Sequence, residues 1–376
     1  MTVAAHLDRE RFDPIVCASR RESWSPLHEI LDSADVPVIN LDRANRAAVW
    51  SWRALPTTLR RGRIDVLHTH MFGSNVWGTV LGRMTGVPVV VAHEHSWSFE
   101  RNMLRYAFDR DVIARGADVL LAVSHEDRAR MIELEGIPGS KIRVIPNRIM
   151  PLPPSRLDLR ATLGLSEGTP VLGTLTVLRP EKALDILVEA AARLTPRFPD
   201  LVVLIAGAGP EEARLRSLIR RRGLDSTVRL LGFRRDVADV LAAVDVAIFS
   251  SDREGSPLAV MESMAAAKPI VATRVGGIPA LVDDGEQALL TSPRDSRALA
   301  EAVTRLLSDR ELRDRLGRNA RHRQRRDFDL RSTVRAVEDL YEELFAASHR
   351  GRREAQGRLV PEASGRSSEP ASPRTR

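Results

Sequence analysis

Cysteine is nearly absent, since Cys17 stands alone in 376 residues. No internal disulfide and no cysteine metal centre can form, which excludes a disulfide framework and leads us to expect a reducing, cytoplasmic setting. The lone thiol is expected to act as a small buried apolar group. Aromatic residues make up only 4 % of the chain and do not interleave with the basic ones, so nucleic acid is not an expected partner. No apolar run reaches membrane-spanning length, and the start, MTVAAHLDRERFD, lacks a basic segment followed by an apolar core; neither a membrane span nor a leader is expected. A Gly-x-Gly-x-x-Gly turn with an acidic residue about 20 positions later is also missing, which argues against a dinucleotide oxidoreductase.

Lysine is the second scarcity. The formal charge is +7, yet lysine occurs only at 141, 182 and 268, so arginine supplies nearly all the positive charge and each lysine is conspicuous. Arg315, Arg318, Arg321, Arg323, Arg325 and Arg326 crowd the segment RDRLGRNARHRQRRD, and RGRR and SPRTR follow near the end. Such clusters read as a solvated helix face and a tail, or as attraction to an anionic membrane surface or a phosphate-bearing lipid. The second reading places the protein peripherally at the inner face of a membrane.

What is abundant points to α/β architecture. Hydrophobic residues make up 43 %, and a chain this long exceeds one ordinary core, so two domains are expected. Short β-branched runs alternate with amphipathic stretches: IDVLHTH, VPVVVAHEH, DVLLAVS and IRVIPN, then PVLGTLTVL, LVVLIAGAG, TVRLLGF, DVAIFS and KPIVATRV. Strands separated by helices imply right-handed crossovers and parallel sheets. The proline-rich stretch MPLPPSRLD divides the series, giving domains at 1–150 and 151–330. A last amphipathic helix at 331–348 is expected to pack back on the N-terminal domain, and 349–376 reads as a disordered basic tail.

One string carries the strongest chemistry: SSDREGSPLAVMESMAAAKPIVATRVGG, with Glu254 and Glu262 separated by seven residues. A helix is expected to start between them, capped by Ser256 with Pro257 in its first turn. The N–H groups of residues 255–258, Gly255, Ser256 and Leu258 among them, would then face a diphosphate. Glu254 can reach sugar hydroxyls, and Glu262 can accept both hydroxyls of a ribose. Upstream, LRPEKALDILVEAA puts Arg179 and Lys182 at a strand-to-helix turn, where two cations can neutralise a diphosphate leaving group. The plain alternative for these cations is surface pairing with Glu181 or Asp185. Gly207 and Gly209, in LIAGAGPE, allow close backbone approach near a ligand or simply a tight turn.

These runs, with VRLLGFRRDV and IPALVDDGEQALL, resemble in their order the motifs of glycosyltransferase family 4, retaining enzymes of the GT-B fold. The resemblance covers most of residues 60–345. It implies two Rossmann-like domains with parallel sheets facing a central cleft, and a nucleotide-sugar co-substrate (UDP- or GDP-sugar) with no other cofactor and no metal. The acceptor would be a saccharide, a lipid-linked molecule or a small polar molecule, in cell-envelope polysaccharide or glycoconjugate synthesis. By the same resemblance Arg179 and Lys182 hold the donor diphosphate, Glu254 contacts the transferred sugar and Glu262 the ribose. Ala183 stands where the family has glycine.

In the N-terminal half, His68 and His70 are expected at one strand end, and His93, Glu94 and His95 at the next, where ligands gather in open parallel sheets. Four histidines invite a metal reading, but they serve equally as hydrogen-bonding or proton-transfer groups. The resemblance selects His95 as the sugar-contacting histidine, with His70 beside the acceptor channel. Arg148 replaces a family glycine after Pro146 and Asn147, a place where backbone strain is expected. MTVAAHLDRERFDPIVCAS resembles the end of the family's first helix and its second strand. The first strand and its glycine-rich loop are therefore expected upstream of Met1, the alternative being that the chain is a defective fragment without them. Two alternatives fit the same residues, namely a nucleotide-sugar epimerase or hydrolase of this fold and a non-catalytic sugar-nucleotide binding protein.

Overall fold

The computed structural model describes residues 2–20, 26–43, 48–95 and 102–357. The C-terminal half builds a six-stranded parallel sheet from β7 (Val171–Leu175), β8 (Val202–Ala206), β9 (Val228–Gly232), β10 (Val246–Phe249), β11 (Ile270–Thr273) and β12 (Ala288–Thr291), in the order β12-β11-β10-β7-β8-β9. β7, β8, β10 and β11 are buried at every position, as expected for strands covered by helices on both faces. Their continuous Val, Ile, Leu and Ala runs supply that core. Chain order reverses direction between β7 and β10, and such a switch point opens a crevice at the carboxyl ends of the two strands.

The N-terminal half contributes β1 (Val16–Arg20) and β2 (Val38–Arg43), paired in parallel, and a separate four-stranded parallel sheet of β3 (Val66–His70), β4 (Val89–Glu94), β5 (Val119–Ala122) and β6 (Ile142–Val144), in that order. β1 and β3 therefore each have one strand neighbour among the described residues. Cys17 in β1 is exposed, contrary to the buried position expected, because this strand lacks the two-sided cover that interior parallel strands receive. Residues 151–157 form no regular element; their prolines fix φ and withhold donors.

The final helix, Leu330–Gly357, extends nine residues beyond the end expected from its apolar spacing. Residues 349–357, HRGRREAQG, are thus helical and not part of a disordered tail. Arg, Glu, Ala and Gln are good helix formers, so the helix propagates past its last apolar contact. The rest of the tail, 358–376, lies outside the described residues. Val337 and Leu340 of this helix share a core with Val89, Val91, Val119, Leu121 and Ile145 of the N-terminal domain, and Glu338 accepts a hydrogen bond from the Asp8 backbone at 2.7 Å. Arg148 has no positive φ, so the expected strain does not arise. Its guanidinium reaches Ser332, tying the domain junction to the helix. Among the described residues no helix is long and apolar enough to cross a membrane.

Candidate functional site

The switch point gathers the residues that the sequence singled out in separate motifs. After β7 the chain runs through Thr176–Leu178 to Arg179 and a short turn, Pro180–Lys182. After β10 it enters the loop holding Ser251 and Glu254. Lys182 Nζ lies 2.7 Å from both Glu254 oxygens, with the Lys182 side chain 22 % and that of Glu254 7 % exposed. The pairing expected in the plain reading, with Glu181 or Asp185, does not form at Lys182. It is Arg179 that approaches Glu181, at 3.8 Å, and its side chain stays 58 % exposed. Ser251 Oγ donates to Glu254 Oε1 at 2.6 Å. Glu254 is thus fixed by an ammonium and a hydroxyl at once.

Glycines clamp this arrangement. A side chain at Gly207 would meet the Thr176 carbonyl oxygen at 1.6 Å, and one at Gly209 the Leu178 carbonyl oxygen at 2.5 Å. The GAG turn therefore lies against the strand end that leads to Arg179, with Leu178 N–H bonded to the Ala208 carbonyl at 3.1 Å. Gly276, at φ +51, lies just as close to the Glu254 carbonyl oxygen, and Gly277 N–H bonds that oxygen at 3.0 Å. Ala183 adopts φ 44, ψ 43, so the family glycine is absent where the backbone is left-handed. An alanine there costs roughly 1–2 kcal/mol. Ala183→Gly is expected to stabilise the protein by about 1 kcal/mol, read as a higher urea midpoint, without loss of nucleotide binding.

The helix after Glu254 runs Leu258–Ala265, with Pro257 as its N-cap and no capping side chain. The expected Ser256 cap and first-turn Pro257 are therefore corrected by one residue. The helix starts one residue later than expected, so the cap position falls on Pro257, whose side chain carries no acceptor, and Ser256 lies one residue before it. The Gly255, Ser256, Leu258 and Ala259 N–H groups have no backbone acceptor among the described residues, so the free donors of the 255–258 set extend to Ala259. Glu262 sits in the second turn. Its side chain has no hydrogen-bond or ion-pair partner among the described residues, and burial raises its pKa.

Across the cleft stands the N-terminal sheet. Gly255 faces it closely: a Cβ there would lie 3.5 Å from Asp127 Oδ2 and 3.6 Å from the His95 carbonyl oxygen. Asp127 is buried and accepts from Ser124 Oγ at 2.8 Å. No spacing rule in SHEDRARMI marks it, and only the fold reveals that it meets the donor loop. Met71, φ 70, joins β3 to its helix and was equally invisible in sequence.

The four histidines form a ladder on one face of β3 and β4. His68 is mid-strand and not at the strand end, whereas His70 closes β3 and His95 follows β4. Successive rings stack with centroids 4.1 to 5.3 Å apart. His70 Nδ1 is 2.8 Å from His95 Nε2, His68 Nε2 is 3.2 Å from His93 Nδ1, and His68 Nδ1 is 2.6 Å from the Tyr341 hydroxyl. Burial pushes His68 down to about 3 and His95 down to about 4, with an Asn147 hydrogen bond opposing the latter. Burial also lowers His93 well below 6.5, with His95 and His68 adding repulsion. His70 is lowered too, but it is exposed, so solvent screens it.

These neutral histidines make stability pH-dependent with a definite sign. An unfolded histidine takes up a proton near pH 6.5 while the folded one refuses it, so this stability is complete above pH 6.5 and drains as pH falls. His68 alone is expected to remove up to about 2 kcal/mol between pH 7 and pH 5. Urea midpoints at the two pH values should differ less in His68→Gln than in the parent.

Residues 155–323 match the model of glycosyl transferases group 1, and residues 1–149 that of glycosyltransferase family 4. D-inositol 3-phosphate glycosyltransferase of Corynebacterium jeikeium is 30 % identical over 78 % of this chain and 75 % of its own. UDP-Gal:alpha-D-GlcNAc-diphosphoundecaprenol alpha-1,3-galactosyltransferase of Escherichia coli is 28 % identical over 89 % and 90 %. Among solved structures, Anabaena Alr3699/HepE in complex with UDP-glucose superimposes with a TM-score of 0.78 at 22 % identity, over 91 % of this chain and 94 % of that one. Two Rossmann-like domains with parallel sheets, a basic and carboxylate cluster at the switch point, and these relatives lead to one assignment: the chain belongs to glycosyltransferase family 4, on the GT-B fold, and is a glycosyltransferase.

Proposed function

We propose that the protein transfers a sugar, with retention of anomeric configuration, from a UDP- or GDP-sugar to a saccharide, lipid-linked or small polar acceptor in cell-envelope polysaccharide or glycoconjugate synthesis. The observation that carries this reading is the meeting of Lys182 and Glu254 where the sheet reverses direction. Arg179, Lys182 and the Leu258 and Ala259 N–H groups supply positive charge where a diphosphate leaves. Glu262, raised and unpartnered, suits the ribose diol. Glu254 faces the transferred sugar from the donor side, with His95 and His70 on the acceptor side.

In this reading the acceptor hydroxyl attacks from the same face as the departing diphosphate, whose oxygen receives the hydroxyl proton. The protein's part is to hold both reactants and to stabilise the growing phosphate charge, so the transfer needs no metal. The structures of Alr3699/HepE with UDP and UDP-glucose and the lipid-linked substrate in the Escherichia coli relative's name support the choice of donor and acceptor class. The basic face of the helix Arg310–Asp327 supports a peripheral contact with an anionic membrane, within a cytoplasmic location. The test is turnover of α-linked UDP- and GDP-sugars with an acceptor panel, the product anomer being read by proton NMR. An α-linked product is expected. A β-linked product overturns retention, and release of a free, altered sugar with no acceptor product points to the hydrolase or epimerase alternative.

A further inference from the structure

The histidine ladder is larger than the reaction needs. His95 and His70 stand at the cleft, while His68 and His93 extend inward to the C-terminal helix, where transfer chemistry has no use for them. We propose that His68, His70 and His93 form a binding site for one divalent transition-metal ion of the zinc type, separate from the donor diphosphate and not required for transfer.

Geometry carries the case. One donor nitrogen from each of the three lies within 4.8 Å of the others. The reason is the parallel register, which pairs His70 with His93, together with the two-residue strand period, which puts His68 on the same face as His70. In a tetrahedral zinc site with Zn–N near 2.0–2.1 Å, neighbouring nitrogens are about 3.3 Å apart. His68 Nε2 and His93 Nδ1 already stand at 3.2 Å, so an ion can replace the shared proton almost in place. The widest pair must close by about 1.5 Å, within reach of small ring rotations about the χ angles. A water completes the shell.

The surroundings fit a ligand role. A metal-bound imidazole needs its other nitrogen held by an oxygen, and Tyr341 does this for His68 at 2.6 Å from the C-terminal helix. His93 is buried and would bind through Nδ1, while its Nε2 has no hydrogen-bond partner among the described residues, so the orienting contact is made at His68 alone. Three imidazoles without carboxylate or thiolate favour zinc, copper or nickel over magnesium or calcium. Because Tyr341 belongs to the helix that crosses back from the C-terminal domain, an ion here would link β3, β4 and that helix.

The test uses the full, untagged chain. Calorimetric titration with Zn2+ is expected to show one saturable ion per chain, weakened at least 30-fold in His68→Asn and in His93→Asn and about tenfold in Tyr341→Phe. Co2+ is expected to give the visible absorption of a tetrahedral nitrogen site, lost in the same histidine variants. UDP binding, measured without metal, reports that each variant is folded and tests the transferase reading separately. Absence of saturable Zn2+ binding by the parent, or unchanged affinity in the folded variants, overturns the proposal. If the histidine variants do not fold, an octahedral Co2+ spectrum in the parent or an unaltered affinity in Tyr341→Phe overturns it equally.

Discussion

Lys182→Ala is expected to lower kcat/KM for the nucleotide-sugar by about two to four powers of ten. The ammonium has two tasks. It balances Glu254, 2.7 Å away and only 7 % exposed, and in the proposed reading it meets the donor diphosphate. Removing one partner of a buried pair costs about 3–5 kcal/mol because the other charge is left uncompensated. Here the orphaned carboxylate would also face an incoming anion, adding repulsion to lost attraction. At about 1.4 kcal/mol per tenfold, the sum corresponds to two to four powers of ten. A double-mutant cycle with Glu254→Gln checks the cause: the double variant is expected to be far less impaired than the product of the two single losses, since neutralising Glu254 removes the repulsion. Losses that simply multiply would show that the two side chains act independently.

Glu262→Gln is expected to trade binding for stability. The carboxyl is raised by burial and has no partner among the described residues, so its charged form disfavours the folded state above its unfolded pKa. The sign is that of a raised acid: its stability contribution is retained at low pH and lost as pH rises through the folded value. A neutral amide of the same shape avoids that penalty, and about 1 kcal/mol of added stability at pH 7 is expected, of the size seen when a functional site is relaxed. UDP affinity is expected to fall at least tenfold, because a carboxylate accepts two ribose hydroxyls and an amide oxygen serves them less well. Paired measurements of urea midpoint and calorimetric Kd check both halves. A variant that is less stable and binds UDP unchanged would mean that Glu262 supports the fold and not the ligand.

Much of this was legible in the sequence because parallel α/β sheets announce themselves through local composition. Runs such as LVVLIA and VAIF are apolar at every position, which only a strand covered on both faces requires. Arg179, Lys182, Glu254 and Glu262 could be singled out as candidates through the strand-to-helix turns that Pro and Gly mark and through the family resemblance. Their mutual geometry was not. The Lys182–Glu254 pair joins positions 72 residues apart, and only the strand order makes β7 and β10 neighbours. The Ser256 cap failed because the helix begins at Leu258, which puts Pro257 in the cap position; element ends are read from sequence only to within a residue or two. Asp127 was missed because one carboxylate on a polar helix carries no periodic signal, and the Tyr341 hydroxyl because helical spacing marks that residue only as one more apolar position, not as a partner of His68. Cys17 was misplaced since burial of a strand depends on its neighbours in the sheet, which no single run of residues discloses.

The central claim is that the switch point binds a nucleotide-sugar, its nucleoside diphosphate held by Arg179, Lys182 and Glu262 and its sugar faced by Glu254. Calorimetric titration of UDP, GDP and ADP into the parent and into Lys182→Ala tests it most directly. One of the three is predicted to bind the parent at a single site and to bind Lys182→Ala at least tenfold more weakly, with both proteins folded by circular dichroism. Binding of none of them, or equal affinity in parent and variant, would contradict the account.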